Sequence, residues 1–118
     1  MTGRAIQRGV RQSPRKMRLV ADEIRGKGVN EAAAILKFSR KLAARQLAKT
    51  LRSAVANAEQ AALRDNSAFD ADRLVVTKCV VDMGRPLKRF TAQAQGRATP
   101  IRKRTSHVEI HVAAAEEN

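Results

Sequence analysis

Tryptophan and tyrosine are absent from this 118-residue chain, and three phenylalanines are its whole aromatic complement. Modules that read single-stranded bases by stacking need exposed aromatic platforms, so that is excluded as the main mode of recognition. The single cysteine, Cys79, has no partner for an internal disulfide, and a reducing compartment is the simple reading. No apolar run approaches the ~20 residues that span a bilayer, and the N-terminus lacks the apolar stretch of a secretory signal. No phosphate-cradling glycine loop occurs, and no serine or cysteine nucleophile has a recognisable base partner. His107, Glu109 and His111 share a strand face by period two, but the ligand count for a metal is not met, and they read as a solvent-facing strand edge. Neither an enzyme nor a cofactor is expected.

The most informative absence is acid. Lys and Arg number 24 against 11 Asp and Glu, a formal net charge of +13. From Met1 to Ala21 there are six cations and no acid: Arg4, Arg8, Arg11, Arg15, Lys16 and Arg18. From Met83 to Val108 there are seven and no acid: Arg85, Lys88, Arg89, Arg97, Arg102, Lys103 and Arg104. A merely soluble surface intersperses both signs. Two long one-signed stretches mark contact surfaces for a polyanion, and phosphate contacts of this kind give affinity and registry with little sequence information.

What is present gives the architecture. Ser13-Pro14 reads as an N-cap followed by proline at the first helical position. Met17, Val20, Ala21 and Ile24 then recur at helical spacing, with Gly26 or Gly28 as the stop. Asn30 reads as a second cap, ahead of the apolar run Ala32 to Phe38. Ser39 reads as the cap of a third helix from about Arg40 to Leu63. Its apolar stripe is Ala43, Leu47, Leu51, Ala54, Val55, Ala58 and Ala62, with Lys41, Arg45, Lys49 and Arg52 on the far face. Asp65-Asn66-Ser67 ends it. Leu74 to Val81 is rich in β-branched residues and reads as a strand. Val108, Ile110 and Val112 alternate with polar residues as a returning strand. Phe38 and Phe69 are assigned to the core, leaving Phe90 as the aromatic available for contact, and Cys79 reads as a small buried hydrophobe.

Between the two strands, Gly84 to Ser106 has almost no apolar alternation. Length priors disfavour a structureless loop of that size, so the segment is expected to form a hairpin arm turning near Ala92 to Gly96 and projecting roughly 35–45 Å at ~3.3 Å per residue. A lone two-stranded ribbon is marginal in water, and its unopposed cations repel one another, so it needs a polyanionic surround to order. The fold expected is α+β: three helices packed on a small antiparallel sheet, with a long basic β-hairpin arm projecting from it. All of residues 1–118 form a single domain in this reading. Its globular part covers about 1–83 and 107–113, the arm about 84–106, and an acidic tail 114–118.

Several strings resemble the large-subunit ribosomal protein twenty-two family. They are Ser13-Pro14-Arg15-Lys16-Met17-Arg18-Leu19-Val20-Ala21-Asp22 with Ile24-Arg25-Gly26-Lys27, then Ser53-Ala54-Val55-Ala56-Asn57-Ala58-Glu59 and Leu87-Lys88-Arg89-Phe90. Ala94-Gln95-Gly96-Arg97-Ala98 and Ile101-Arg102-Lys103-Arg104-Thr105-Ser106-His107 complete the set. The resemblance implies a globular domain beside the opening of the peptide exit tunnel, a hairpin lining the tunnel wall and a role in early large-subunit assembly. It extends the rRNA-binding set to Ser13, Arg25, Lys27, Thr105, Ser106 and His107, and makes Phe90, Gln93, Ala94, Gln95, Gly96 and Arg97 the tunnel-lining tip. It also implies neighbouring ribosomal proteins and the nascent polypeptide as partners, no membrane, no homo-oligomer, and a ribosome-bound place in the cytoplasm or an organelle. Gln93 and Gln95 stand where the family's tip usually carries cations.

The main rival is an architectural DNA-binding protein with a basic β-arm. Such proteins are usually dimers, and the basic outer face of the long helix offers no dimer seam. An RNA-modifying enzyme lacks its catalytic constellation. A membrane-surface protein is disfavoured because the most basic segments are the least amphipathic.

Overall fold

The computed structural model describes residues 2–92, 96 and 98–114. The expectations for Gln93, Ala94, Gln95 and Arg97, and for the acidic end at Glu116 and Glu117, lie outside the described residues.

Ser13 caps the first helix, α1 (Pro14–Ile24), its hydroxyl accepting from the Lys16 N–H at 3.3 Å. Met17, Val20, Ala21 and Ile24 are all fully buried, as their spacing predicts. Gly26, at φ +80°, takes the left-handed position just past the helix and donates its N–H to the Val76 carbonyl. Helix α2 (Val29–Phe38) starts at Gly28, not on an Asn30 cap. The Asn30 amide is committed instead to Asp72, at 2.7 Å. Ser39 likewise does not cap α3 (Leu42–Arg64). Lys41 holds that position without a side-chain bond, while the Ser39 hydroxyl closes the turn onto the Lys41 N–H.

Strand β1 (Thr2–Val10), hidden in the first basic stretch, pairs antiparallel with β5 (Ser106–Ala114), and β5 with β2 (Leu74–Met83), in the order β1-β5-β2. Val108, Ile110 and Val112 point into the core from β5. On β2 a bulge at Thr77 lets both Val76 and Cys79 face inward, although they are three residues apart. The inner face meets α1 and α3, and Leu47, Leu51, Ala54 and Ala58 join the same cluster. Because β5 is the central strand, His107, Glu109 and His111 lie on the open face of the sheet and not on an edge.

Helix α3 lies directly over β1, and this contact depends on small residues. A Cβ on Gly3 would collide with the Ala54 carbonyl and with Ala58. Further along, Gln7 donates to Gln46 and accepts from the buried Thr50 hydroxyl, both at 2.8 Å. Phe38 is not in the core. It is 79% exposed, while Phe69 packs against the cluster.

The remaining strands, β3 (Leu87–Ala92) and β4 (Ala98–Lys103), form a separate two-stranded sheet with Leu87 opposite Lys103 and Ala92 opposite Ala98. Every residue of both strands is exposed except half-buried Leu87. The arm makes the molecule long, with extents of 67 × 27 × 21 Å and a radius of gyration of 17.7 Å. A compact chain of this length would have a radius of gyration of ~13–14 Å. Among the described residues no helix is long and apolar enough to cross a membrane.

Candidate nucleic-acid interface

The two acid-free stretches, some sixty positions apart in sequence, meet where the arm leaves the sheet. One cleft of about 330 Å³ is lined by Arg11, Gln12, Ser13 and Lys16 from the first stretch and Arg102, Lys103 and Arg104 from the second. A second, of about 420 Å³, lies between Arg15, Arg18, Met83 and Arg104. Arg104 stands between them, and neither cleft has an acidic lining residue. Cations in the first turn of α1 oppose the helix dipole, so their placement costs stability and suits an anion brought from outside.

The root of the arm is fastened by hydrogen bonds. Gly84 donates its N–H to the Thr105 carbonyl at 2.9 Å, and the Thr105 hydroxyl donates to the Arg85 carbonyl at 2.7 Å. The Ser106 hydroxyl donates to the Gln12 carbonyl at 2.6 Å, which ties the root to the segment leading into α1. Thr105 is 6% exposed and Ser106 fully buried. These two hydroxyls, expected among the RNA contacts, are spent inside the protein. The His107 Nδ1 accepts from the Gly9 N–H at 3.1 Å, so that ring also serves the root.

Other predicted cations divide by what they touch. Arg18 donates through Nε and Nη2 to the Val81 carbonyl, at 3.2 and 3.1 Å, leaving Nη1 directed away from the strand. Arg25 has a partner at each nitrogen, with Nε and Nη2 bonding the Cys79 carbonyl and Nη1 meeting Asp22 at 2.5 Å, while its side chain stays 46% exposed. Both guanidiniums cover carbonyls along the free edge of β2, where an unpaired strand invites another chain. Arg4 is neutralised by Glu109 at 2.8 Å, which also bonds His111 at 2.8 Å. The His111 hydrogen bond is the main reason the Glu109 carboxyl titrates below its ordinary range, with Arg4 adding to it. Arg8, Arg11, Arg15, Lys16 and Lys27 are exposed. On the arm, strand pairing places Arg89 and Lys103 on one face and Lys88 and Arg102 on the other, so both faces present cations. Phe90, opposite Pro100, is 71% exposed, and Gly96 stands in solvent.

Sequence reasoning missed a third cleft, of about 350 Å³, between Lys16, Leu19, Lys41 and Leu42. Its signal was available: Leu19 and Leu42 fall outside the core periodicity of their helices and are 55% and 64% exposed. Among the described residues no group of three or more His, Cys, Asp or Glu is placed to hold a metal ion.

This arrangement can do one thing well, which is to hold phosphates along a folded polyanion. The model of the family described as ribosomal protein L22p/L17e matches residues 5–113. The chain belongs to that family. Over 113 residues it is 51% identical to the large ribosomal subunit protein uL22 of Rubrobacter xylanophilus, covering 96% of this chain and 85% of the relative. The uL22 protein of Geobacter metallireducens is 50% identical, with 96% and 98% covered. That of Oceanobacillus iheyensis is 47% identical over 117 residues, with 99% of each chain covered. Family membership makes this a structural ribosomal protein and not an enzyme, and RNA binding is a general property of the family.

Proposed function

We propose that this protein is a structural rRNA-binding component of the large ribosomal subunit, working as one domain and one arm. Its globular part sits near the opening of the peptide exit tunnel. The hairpin lines the tunnel wall, with Phe90, Gln93, Ala94, Gln95, Gly96 and Arg97 at the tip beside the passing nascent chain. By bridging several rRNA segments it contributes to early assembly, as a single copy beside neighbouring ribosomal proteins in cytoplasmic ribosomes. The observation that carries this reading is the arm itself: a two-stranded ribbon with cations on both faces, almost nothing buried and a hydrogen-bonded root. Such a ribbon is marginal alone, and a surrounding polyanion both neutralises it and supplies its missing layer. The globular interface adds Arg8, Arg11, Arg15, Lys16, Arg18 and Lys27 to the arm's Arg85, Lys88, Arg89, Arg102, Lys103 and Arg104.

The test compares the full chain with one whose residues 85–104 are replaced by a tight turn. With ~6–10 phosphate contacts, affinity of the full chain for large-subunit rRNA should fall by about a thousandfold or more between 50 and 200 mM salt. The shortened chain should bind more weakly and with a shallower salt dependence. A salt-independent affinity would sink the electrostatic account. A photo-crosslinker at Phe90 should capture nascent chains in stalled ribosomes; ribosomes that carry the protein but never give that adduct would remove the tunnel-wall placement and leave the RNA-binding reading standing.

A further inference from the structure

The clefts at the arm's root are lined by cations, but a roomier hollow among the described residues is of another kind. It runs between α2 and α3, measures about 510 Å³ and is mainly apolar. Val29, Ala33 and Lys37 follow one another at four-residue steps along α2, and Ala48, Arg52 and Val55 form the facing row on α3. At 1.5 Å per residue, the eight steps from Val29 to Lys37 make the trough ~12 Å long, about two helical turns. Its depth comes from alanine: at positions 33 and 48 there is too little side chain to close the gap between the helices. Lys37 and Arg52 are its charged lining residues, and no carboxylate lines it. Phe38, the chain neighbour of Lys37, is 79% exposed, with the Lys37 ammonium 5.8 Å from its ring centroid.

RNA does not suit this trough. Phosphate and ribose are too polar to fill an apolar floor, and two cations beside five apolar lining residues give little counterion release compared with the root of the arm. A protein segment suits it on both counts. We propose that the groove receives a short amphipathic helix of a neighbouring protein. That helix would present aliphatic side chains at i, i+4 and i+7 to the floor, and one or two carboxylates to Lys37 and Arg52. This is the helix-in-groove mode of recognition, with the charged pair setting orientation and the apolar row supplying the burial. The proposal rests on the ribosomal reading for the source of the partner, which is another protein of the same particle.

The test places p-benzoylphenylalanine at Phe38 and, in a second variant, at Ala33, both exposed positions, in the full-length protein. Large subunits containing each variant are purified and irradiated. The expected product is an RNase-resistant adduct to one other ribosomal protein. Its crosslinked peptide should carry aliphatic residues at helical spacing and an acidic residue. Adding Lys37→Glu and Arg52→Glu should lower the adduct yield about tenfold while incorporation into subunits is unchanged. An adduct to RNA, an adduct between two copies of this chain, or no adduct from either position overturns the proposal. Failure of the unsubstituted protein to enter large subunits would instead overturn the ribosomal reading on which it stands.

Discussion

Ile110 and Ile101 are the same residue type, nine positions apart on successive strands, and they meet opposite fates. Ile110 sits in the central strand of the three-stranded sheet, under α1 and α3, and is wholly buried. Ile101 sits opposite Arg89 on the arm and is 37% exposed. The difference lies in the layers around them. The globular sheet has a second layer of helices from the same chain, and the arm has none. Its second layer must come from outside, which is why cations that would burden a core are tolerated along it.

That contrast is sharpest in amide exchange. In the free protein, amides of Val108 to Val112 should exchange only through global opening, and those of Leu87 to Ala92 near unprotected rates. The gap should be roughly three to four orders of magnitude or more, given typical domain stabilities. Added rRNA should narrow it, and equal protection without RNA would erase the distinction. Truncation comes next. Leu47→Ala should cost ~2–5 kcal/mol by chemical denaturation, whereas Ile101→Ala should stay within ~0.5 kcal/mol. Comparable losses would mean that the arm carries a core of its own.

Smaller effects concern titration. Burial pushes the Cys79 thiol up to about 11 from 9.0, with the Arg25 cation opposing and Asp22 adding to the rise. A folded value above the unfolded one gives stability that is complete below about pH 9 and is lost as the pH climbs through 11. Thermal melts of Cys79→Ala across that window should lack this part of the alkaline decline, and a native thiol that reacts freely with a disulfide reagent at neutral pH would contradict the burial. The smallest effect is on the open face of the sheet. Glu109 titrates below its ordinary value of 4.5, chiefly through the His111 hydrogen bond. Its stabilisation is therefore present above that value and lost as the pH falls through the lowered one. Glu109→Gln should flatten the acid limb of the melting curve slightly, and an acid limb identical in both proteins would show that the network carries no stability.

Much of the fold was legible because its elements advertise themselves locally. Ser13-Pro14 announces α1, and the alternation at Val108, Ile110 and Val112 announces β5. Strand β1 was not legible, and the reason is physical. Its inward positions are Gly3, Ala5 and Gln7, chosen by the close passage of α3 and by the polar seam to Gln46 and Thr50. No hydrophobic alternation survives such a demand. Phe38 misled in the opposite sense, since an aromatic at the end of an apolar run reads as core until the helix direction is known. At the interface, the exposed cations were readable as charge. The internal duties of Arg25, Thr105 and Ser106 depend on partners 20 to 94 positions away, and nothing local signals them.

The fastening at the base of the arm has a mechanical consequence. A beam held at one end magnifies any tilt at its support. Over about 35 Å of ribbon, an error of ~10° carries the far end about 6 Å, nearly two nucleotide steps at ~3.4 Å each. Gly84 has no side chain because a methyl there would stand 2.5 Å from the Thr105 hydroxyl, the group that holds Arg85 in line. The aim of the whole lever is thus set at its pivot, by a missing methyl and one hydroxyl, well away from the cations carried further out along the ribbon.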